Sequence, residues 1–137
     1  MASVKLENIY KKYDGNENYS VEDVSIYIPD GAFAVFVGPS GCGKSTILRL
    51  IAGLIVPTTG SIKLDDKEIT GPSSSRGMVF QKSTLFPWLT VGDNVGFSGT
   101  LKNEKKIDEK EIDNMLEKVG LLDFKNTYPS NLSGGMA

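Results

Sequence analysis

The sequence predicts an α/β fold, an antiparallel sheet laid against a parallel core, and three observations carry that prediction. Ser3–Tyr13 and Val24–Ile28 alternate apolar with polar residues, as half-buried strands do. The apolar run Ala32–Val37 leads straight into Gly38-Pro39-Ser40-Gly41-Cys42-Gly43-Lys44-Ser45-Thr46 and then into Ile47–Ala52, a succession that reads as buried strand, glycine loop and helix. Further along, Ile112, Met115, Leu116 and Val119 fall at i, i+3, i+4 and i+7, the spacing of one helix face.

The glycine loop is the stretch with the most specific chemistry. Gly38–Thr46 fits G-x-x-x-x-G-K-[ST] at every fixed position, and a preceding strand with a following helix is the context that makes the pattern a phosphate-binding loop. Glycines remove side chains, so consecutive backbone N–H groups can close around phosphate oxygens at a helix N-terminus, where the dipole favours anions. Lys44 adds a mobile point charge for the β/γ-phosphates, and the Ser45 hydroxyl can ligate Mg²⁺. All nine residues, Gly38, Pro39, Ser40, Gly41, Cys42, Gly43, Lys44, Ser45 and Thr46, are therefore candidate nucleotide-binding positions.

Composition bounds the rest. With 137 residues, 39% of them hydrophobic and 23% charged, the chain suits a soluble globular domain or part of a larger one. No apolar run approaches the roughly 20 residues of a spanning helix, and Met1–Tyr13 is too polar to read as a signal peptide. A net charge of −2 gives no reason to expect nucleic acid, and the run Lys102, Lys105, Lys106 reads as a solvated face. The single cysteine, Cys42, leaves no internal disulfide and agrees with a reducing cytosol. Histidine is absent from the sequence.

Taken in order, Asp14–Asn18 is a turn between the first two strands, and Pro29-Asp30-Gly31 ends the second with strong turn chemistry. After the loop helix, Pro57–Gly60 is a turn and Ser61–Asp65 a short strand. Asp65-Asp66 turns the chain into Lys67–Ile69. Gly71–Ser75 is a surface loop, and Gly77–Phe80 reads as a buried strand with Gln81 at its C-terminal end, where parallel sheets place ligands. Leu85–Leu89 is a dense apolar knot, and Thr90 is placed to cap a short helix from Val91 to about Phe97. Ser98–Lys106 is a polar connector. Gly120 takes the position expected just past the amphipathic helix. A short helical turn and the breaker Tyr128-Pro129 precede Leu132-Ser133-Gly134-Gly135-Met136-Ala137.

Together the phosphate loop, Gln81 and the Leu132-Ser133-Gly134-Gly135 stretch resemble, in order, the nucleotide-binding subunit of ABC transporters. The resemblance implies a partial P-loop NTPase (RecA-like) core with an antiparallel β subdomain and an incomplete α-helical subdomain, divided as 1–81 and 82–137. It implies ATP and Mg²⁺ as cofactors, with Tyr13 stacking on adenine, Gln81 as the Q-loop residue and Ser45 and Gln81 at the metal. Ser133, Gly134 and Gly135 would meet the γ-phosphate held by a second nucleotide-binding subunit paired head to tail. Transmembrane permease subunits would be the other partners, at the cytoplasmic face of the membrane. Val79-Phe80-Gln81, Leu85–Val91, Asp93-Asn94-Val95 and Met136 in place of the usual glutamine resemble the nitrate/sulfonate/taurine importer branch.

The family's hydrolytic machinery adds a Walker B strand ending in Asp-Glu and a switch histidine. The nearest imitation, Val119-Gly120-Leu121-Leu122-Asp123, carries an internal glycine and no following glutamate, and is not a Walker B. The resemblance is thus to the N-terminal part of such a subunit, cut as the signature helix begins. It leaves hydrolysis by this chain alone unexpected, Ser133–Met136 frayed, and Phe33–Val37 an open apolar edge. A product that binds nucleotide or a membrane partner without turnover is the alternative from another class; a GTPase lacks support, since no [NT]-K-x-D stretch is present.

Overall fold

The computed structural model describes residues 2–101 and 107–136, so the Lys102, Lys105, Lys106 run lies outside the described residues. The chain forms two compact units, Met1–Met78 and Val79–Ala137.

In the first unit, β1 (Val4–Lys11), β2 (Val21–Ile28), β3 (Thr59–Leu64) and β4 (Lys67–Glu68) build one antiparallel sheet in the order β2-β1-β3-β4. β1 is central, pairing Leu6 with Ile26 on one side and with Ile62 on the other. Alternation alone would set Leu6 and Ile9 on opposite faces; the irregularity between them, with Asn8 at φ 49°, brings both to the face of Val21 and Ile62, where they pack with Ile47 and Leu50 of α1 (Lys44–Ile51) as a buried core. Each such side chain contributes roughly 1.5–3 kcal/mol when fully buried. The β3–β4 hairpin pairs Leu64 with Lys67 around Asp65 and Asp66, whose φ values of 46° and 64° are those of a turn with both central residues left-handed. Asp65 suits this position because its Oδ1 accepts from the Ser3 amide at 2.8 Å and hydroxyl at 3.1 Å.

Two expectations fail here. Ala32–Val37 is not a buried strand: the described structure gives it no ladder partner, and Phe33 and Val37 are 94% and 89% exposed. Only Phe36 touches the core. Gly77–Phe80 is likewise outside any strand, with Val79 97% exposed. A strand is a pairing, and an apolar run becomes one only beside a neighbour that accepts its N–H and C=O groups. Among the described residues the sheet is therefore wholly antiparallel, within a partial α/β domain.

The second unit is built on α2 (Val91–Gly96) and α3 (Glu109–Lys118), with Val91, Ile112 and Leu116 as its buried core. Thr90 caps α2 as expected, in a reciprocal box with Asp93: Thr90 Oγ1 accepts from the Asp93 amide at 3.1 Å. The helix has a second anchor, since the Val91 and Gly92 amides donate to the Thr127 and Lys125 carbonyls at 2.9 and 2.8 Å. On α3 the buried stripe is narrower than the periodicity suggests. Ile112 and Leu116 are buried, whereas Met115 and Val119 are exposed, because so small a unit covers only the centre of the helix face. Gly120, at φ 70°, ends α3: its amide donates to Glu117 O at 3.0 Å, and Leu121 N–H to Leu116 O at 2.8 Å, the paired bonds of a Schellman motif. Lys125 bonds both Asp113 and Glu109 of α3, which hold its ammonium above the usual lysine range, Asp113 more strongly.

Candidate functional site

The glycine loop opens α1 as the pattern requires. Gly43, the residue before the helix, has φ 92°, and Gly41 has φ 83°; both are left-handed, a conformation cheap only for glycine. Gly43 is also pressed against β2: a Cβ there would stand 2.5 Å from Ser20 O and 3.3 Å from a Val21 methyl carbon. A Cβ on Gly41 would meet no protein atom within 4 Å, so no neighbouring residue requires a glycine there.

The Lys44 side chain folds back over the loop. Its ammonium donates to Gly38 O at 2.7 Å and Pro39 O at 2.6 Å and lies 3.4 Å from Cys42 Sγ. The three donors of an ammonium are thus spread along the stretch whose amides lead into the helix. The first amides of α1 have no partner within the helix by construction. Thr46 is buried under the loop, whereas Ser40, Gly41, Cys42 and Ser45 are exposed. Cationic side chain, first-turn amides and exposed hydroxyl together are the donor set a polyphosphate with its Mg²⁺ needs. No three His, Cys, Asp or Glu residues are grouped to hold a metal among the described residues.

Tyr13 follows β1 and is half-buried; its carbonyl accepts from the Asn16 amide at 3.1 Å, and Lys11 Nζ sits 5.3 Å from its ring centroid. Gln81 is exposed in a bend and belongs to the second unit, so it does not stand at the end of a formed strand. Ser133 leads into a turn over Gly134–Met136, closed by Met136 N–H donating to Ser133 O at 2.9 Å, with no helix formed.

Two contributors were not legible beforehand. The Ser20 carbonyl that fixes Gly43 carries no sequence signal. Asn94, in the first turn of α2, clamps the turn after Gln81: its Oδ1 accepts from the Phe86 amide at 2.8 Å. Its Nδ2 points at the carbonyls of Phe86, Leu89 and Thr90 at 3.2, 3.2 and 2.9 Å. An asparagine just inside a capped helix, behind a proline turn, was the available hint.

A family-model match labelled ABC transporter covers residues 21–137, and the chain belongs to that family. It is 40% identical, over 99% of its length and 52% of the relative's, to the taurine import ATP-binding protein TauB of Roseobacter denitrificans. It is 42% identical over the same shares to that of Pelagibacter ubique. An uncharacterized ABC transporter ATP-binding protein of Methanocaldococcus jannaschii is 44% identical over 97% of this chain and 51% of its own. The chain thus spans about half the length of the curated relatives it matches. Among solved structures, a dimeric ATP-binding cassette in a post-hydrolysis state with ADP and Pi superposes with a TM-score of 0.80 at 32% identity. That superposition covers 97% of this chain and 64% of the other.

Proposed function

We propose that this chain is the nucleotide-binding part of an ABC importer subunit of the taurine/sulfonate/nitrate type, working with a second nucleotide-binding subunit and membrane-spanning permease subunits. The observation that carries the reading is the Lys44 ammonium, held by Gly38 O and Pro39 O at the mouth of α1. A phosphate chain offers the same ammonium stronger, charged acceptors, and charge-assisted bonds are roughly twice as strong as neutral ones. Lys44 therefore exchanges its carbonyls for the β/γ-phosphates, and the loop amides close on the same oxygens. The Ser45 hydroxyl would hold Mg²⁺, which would supply positive charge against the phosphates. Tyr13 stacks on adenine. Ser133, Gly134 and Gly135 serve the γ-phosphate on the partner subunit's loop.

The two-part division, a β subdomain that carries the loop and a helical subdomain that follows it, separates nucleotide holding from partner contact. No described helix is long and apolar enough to cross a membrane, and the place of work we assign is the cytoplasmic face, against the permease. The test is calorimetry of Mg-ATP binding to the chain and to Lys44→Ala. Loss of one charge-assisted contact set predicts roughly tenfold or greater weakening with an unchanged far-UV spectrum. Equal affinities would overturn the reading.

A further inference from the structure

We propose that Arg76 is a positioning residue for the phosphate loop, acting through the Gly71 carbonyl on the far end of α1; this rests on the nucleotide-binding reading above. α1 ends in a Schellman motif, the Gly53 amide donating to Leu50 O and the Leu54 amide to Arg49 O, both at 3.0 Å. Gly53, at φ 75°, is also where another segment crosses the helix end. A Cβ there would stand 2.2 Å from Gly71 O, 2.5 Å from Gly71 C and 3.1 Å from Pro72 N. The Arg76 guanidinium holds that same carbonyl: its Nη2 donates to Gly71 O at 2.6 Å, in a half-buried setting.

The Gly71–Arg76 loop is tied both to itself and to the sheet. Arg76 N–H donates to Ser73 O at 3.0 Å and Ser75 N–H to Ser73 Oγ at 3.3 Å, while Ile69 N–H, just ahead, donates to Ile62 O of β3 at 2.8 Å. An arginine on an open surface turns its N–H groups to water. Arg76 instead keeps Nε sealed from solvent with no acceptor among the described residues, an arrangement that carries a desolvation cost. What the guanidinium gains there is the Gly71 bond, which is charge-assisted and so of the stronger class. α1 therefore meets bare backbone at both ends, Ser20 O at Gly43 and Gly71 at Gly53. With eight residues it is a rod of roughly 12 Å. A displacement at Gly53 thus reaches Gly43 and the first amides of the helix, which face the phosphates.

The experiment compares the chain with Arg76→Met, Arg76→Lys, Gly53→Ala and Asp65→Ala. It reads thermal melting, hydrogen exchange, and calorimetry of Mg-ATP and of inorganic triphosphate with Mg²⁺. Arg76→Met keeps the apolar stem and loses the donors. It should bind both ligands roughly fivefold more weakly, and by the same factor, because the displaced groups are those that meet phosphate. Its Gly53 and Leu54 amides should exchange faster than the parent's. Arg76→Lys keeps a cationic donor and should restore most of the affinity. Asp65→Ala loosens the same unit by removing the bonds to Ser3; it should lower the melting temperature and leave both affinities unchanged. Gly53→Ala forces Gly71 away with Arg76 intact, should weaken binding as Arg76→Met does, and carries the test if that variant does not fold. Affinity equal to the parent's in Arg76→Met or Gly53→Ala, no recovery in Arg76→Lys, or equal weakening in Asp65→Ala overturns the positioning role alone. Absence of Mg-ATP binding by the parent chain overturns the nucleotide-binding reading and this proposal with it.

Discussion

The carbonyl oxygen of Ser20 lies 2.5 Å from where a Cβ on Gly43 would stand. The residue that leads into β2 and the phosphate loop therefore approach closely through backbone, and the start of α1 is set by that approach as well as by the loop's own sequence. Gly43→Ala meets both a left-handed φ and a backbone oxygen that cannot rotate away. The expected cost is about 2–4 kcal/mol, together with lost ATP binding. Gly15→Ala has a similar φ of 81° with nothing within 4 Å, and should cost only about 1–2 kcal/mol. Denaturant unfolding of the two variants separates close approach from conformation; equal losses would show that Ser20 plays no part.

Tyr13→Ala should weaken ATP binding by roughly 1–3 kcal/mol, the worth of stacking a base on an aromatic ring. Inorganic triphosphate, which has no base, should bind both forms alike. Calorimetry with both ligands decides, and equal loss for both would indicate a folding defect instead.

Cys42 is exposed in the loop, 3.4 Å from the Lys44 ammonium. A maleimide should label it, and Mg-ATP at ten times its dissociation constant should slow labelling about tenfold, in proportion to the free fraction. Mass spectrometry of timed samples reads the rate. The same rate with and without nucleotide would mean that the ligand does not occupy the loop.

Glu7 bonds Lys5 at 2.7 Å and Lys63 at 2.8 Å, and these two ammonium groups, Lys5 first, hold its carboxyl down at about 2. A depressed carboxylate contributes stability above its unfolded value, and that contribution is lost as pH falls through the folded value. Glu7→Gln should therefore melt below the parent at pH 7 by a small margin, since the pair is solvent-exposed. The gap should close between about pH 4.5 and pH 2. A gap independent of pH over that range would assign the effect to packing.

The sequence by itself determined the features whose cause is local. The loop pattern fixes Gly43 just before Lys44, at the mouth of α1. Thr90 caps α2, Gly120 ends α3, and Asp65-Asp66 turns β3 into β4; each depends on a few neighbouring dihedrals and one or two short hydrogen bonds. Tertiary structure alone decided which apolar runs are covered. Leu6 and Ile62 are buried because β1 and β3 pair and α1 lies on them, while Phe33, Val37 and Val79 remain in water beside no described strand. It also decided that Ser20 presses on Gly43, that Asn94 grips Phe86, and that Thr127 and Lys125 receive the first amides of α2. Burial and long-range hydrogen bonds are properties of two segments at once, and periodicity records only one of them.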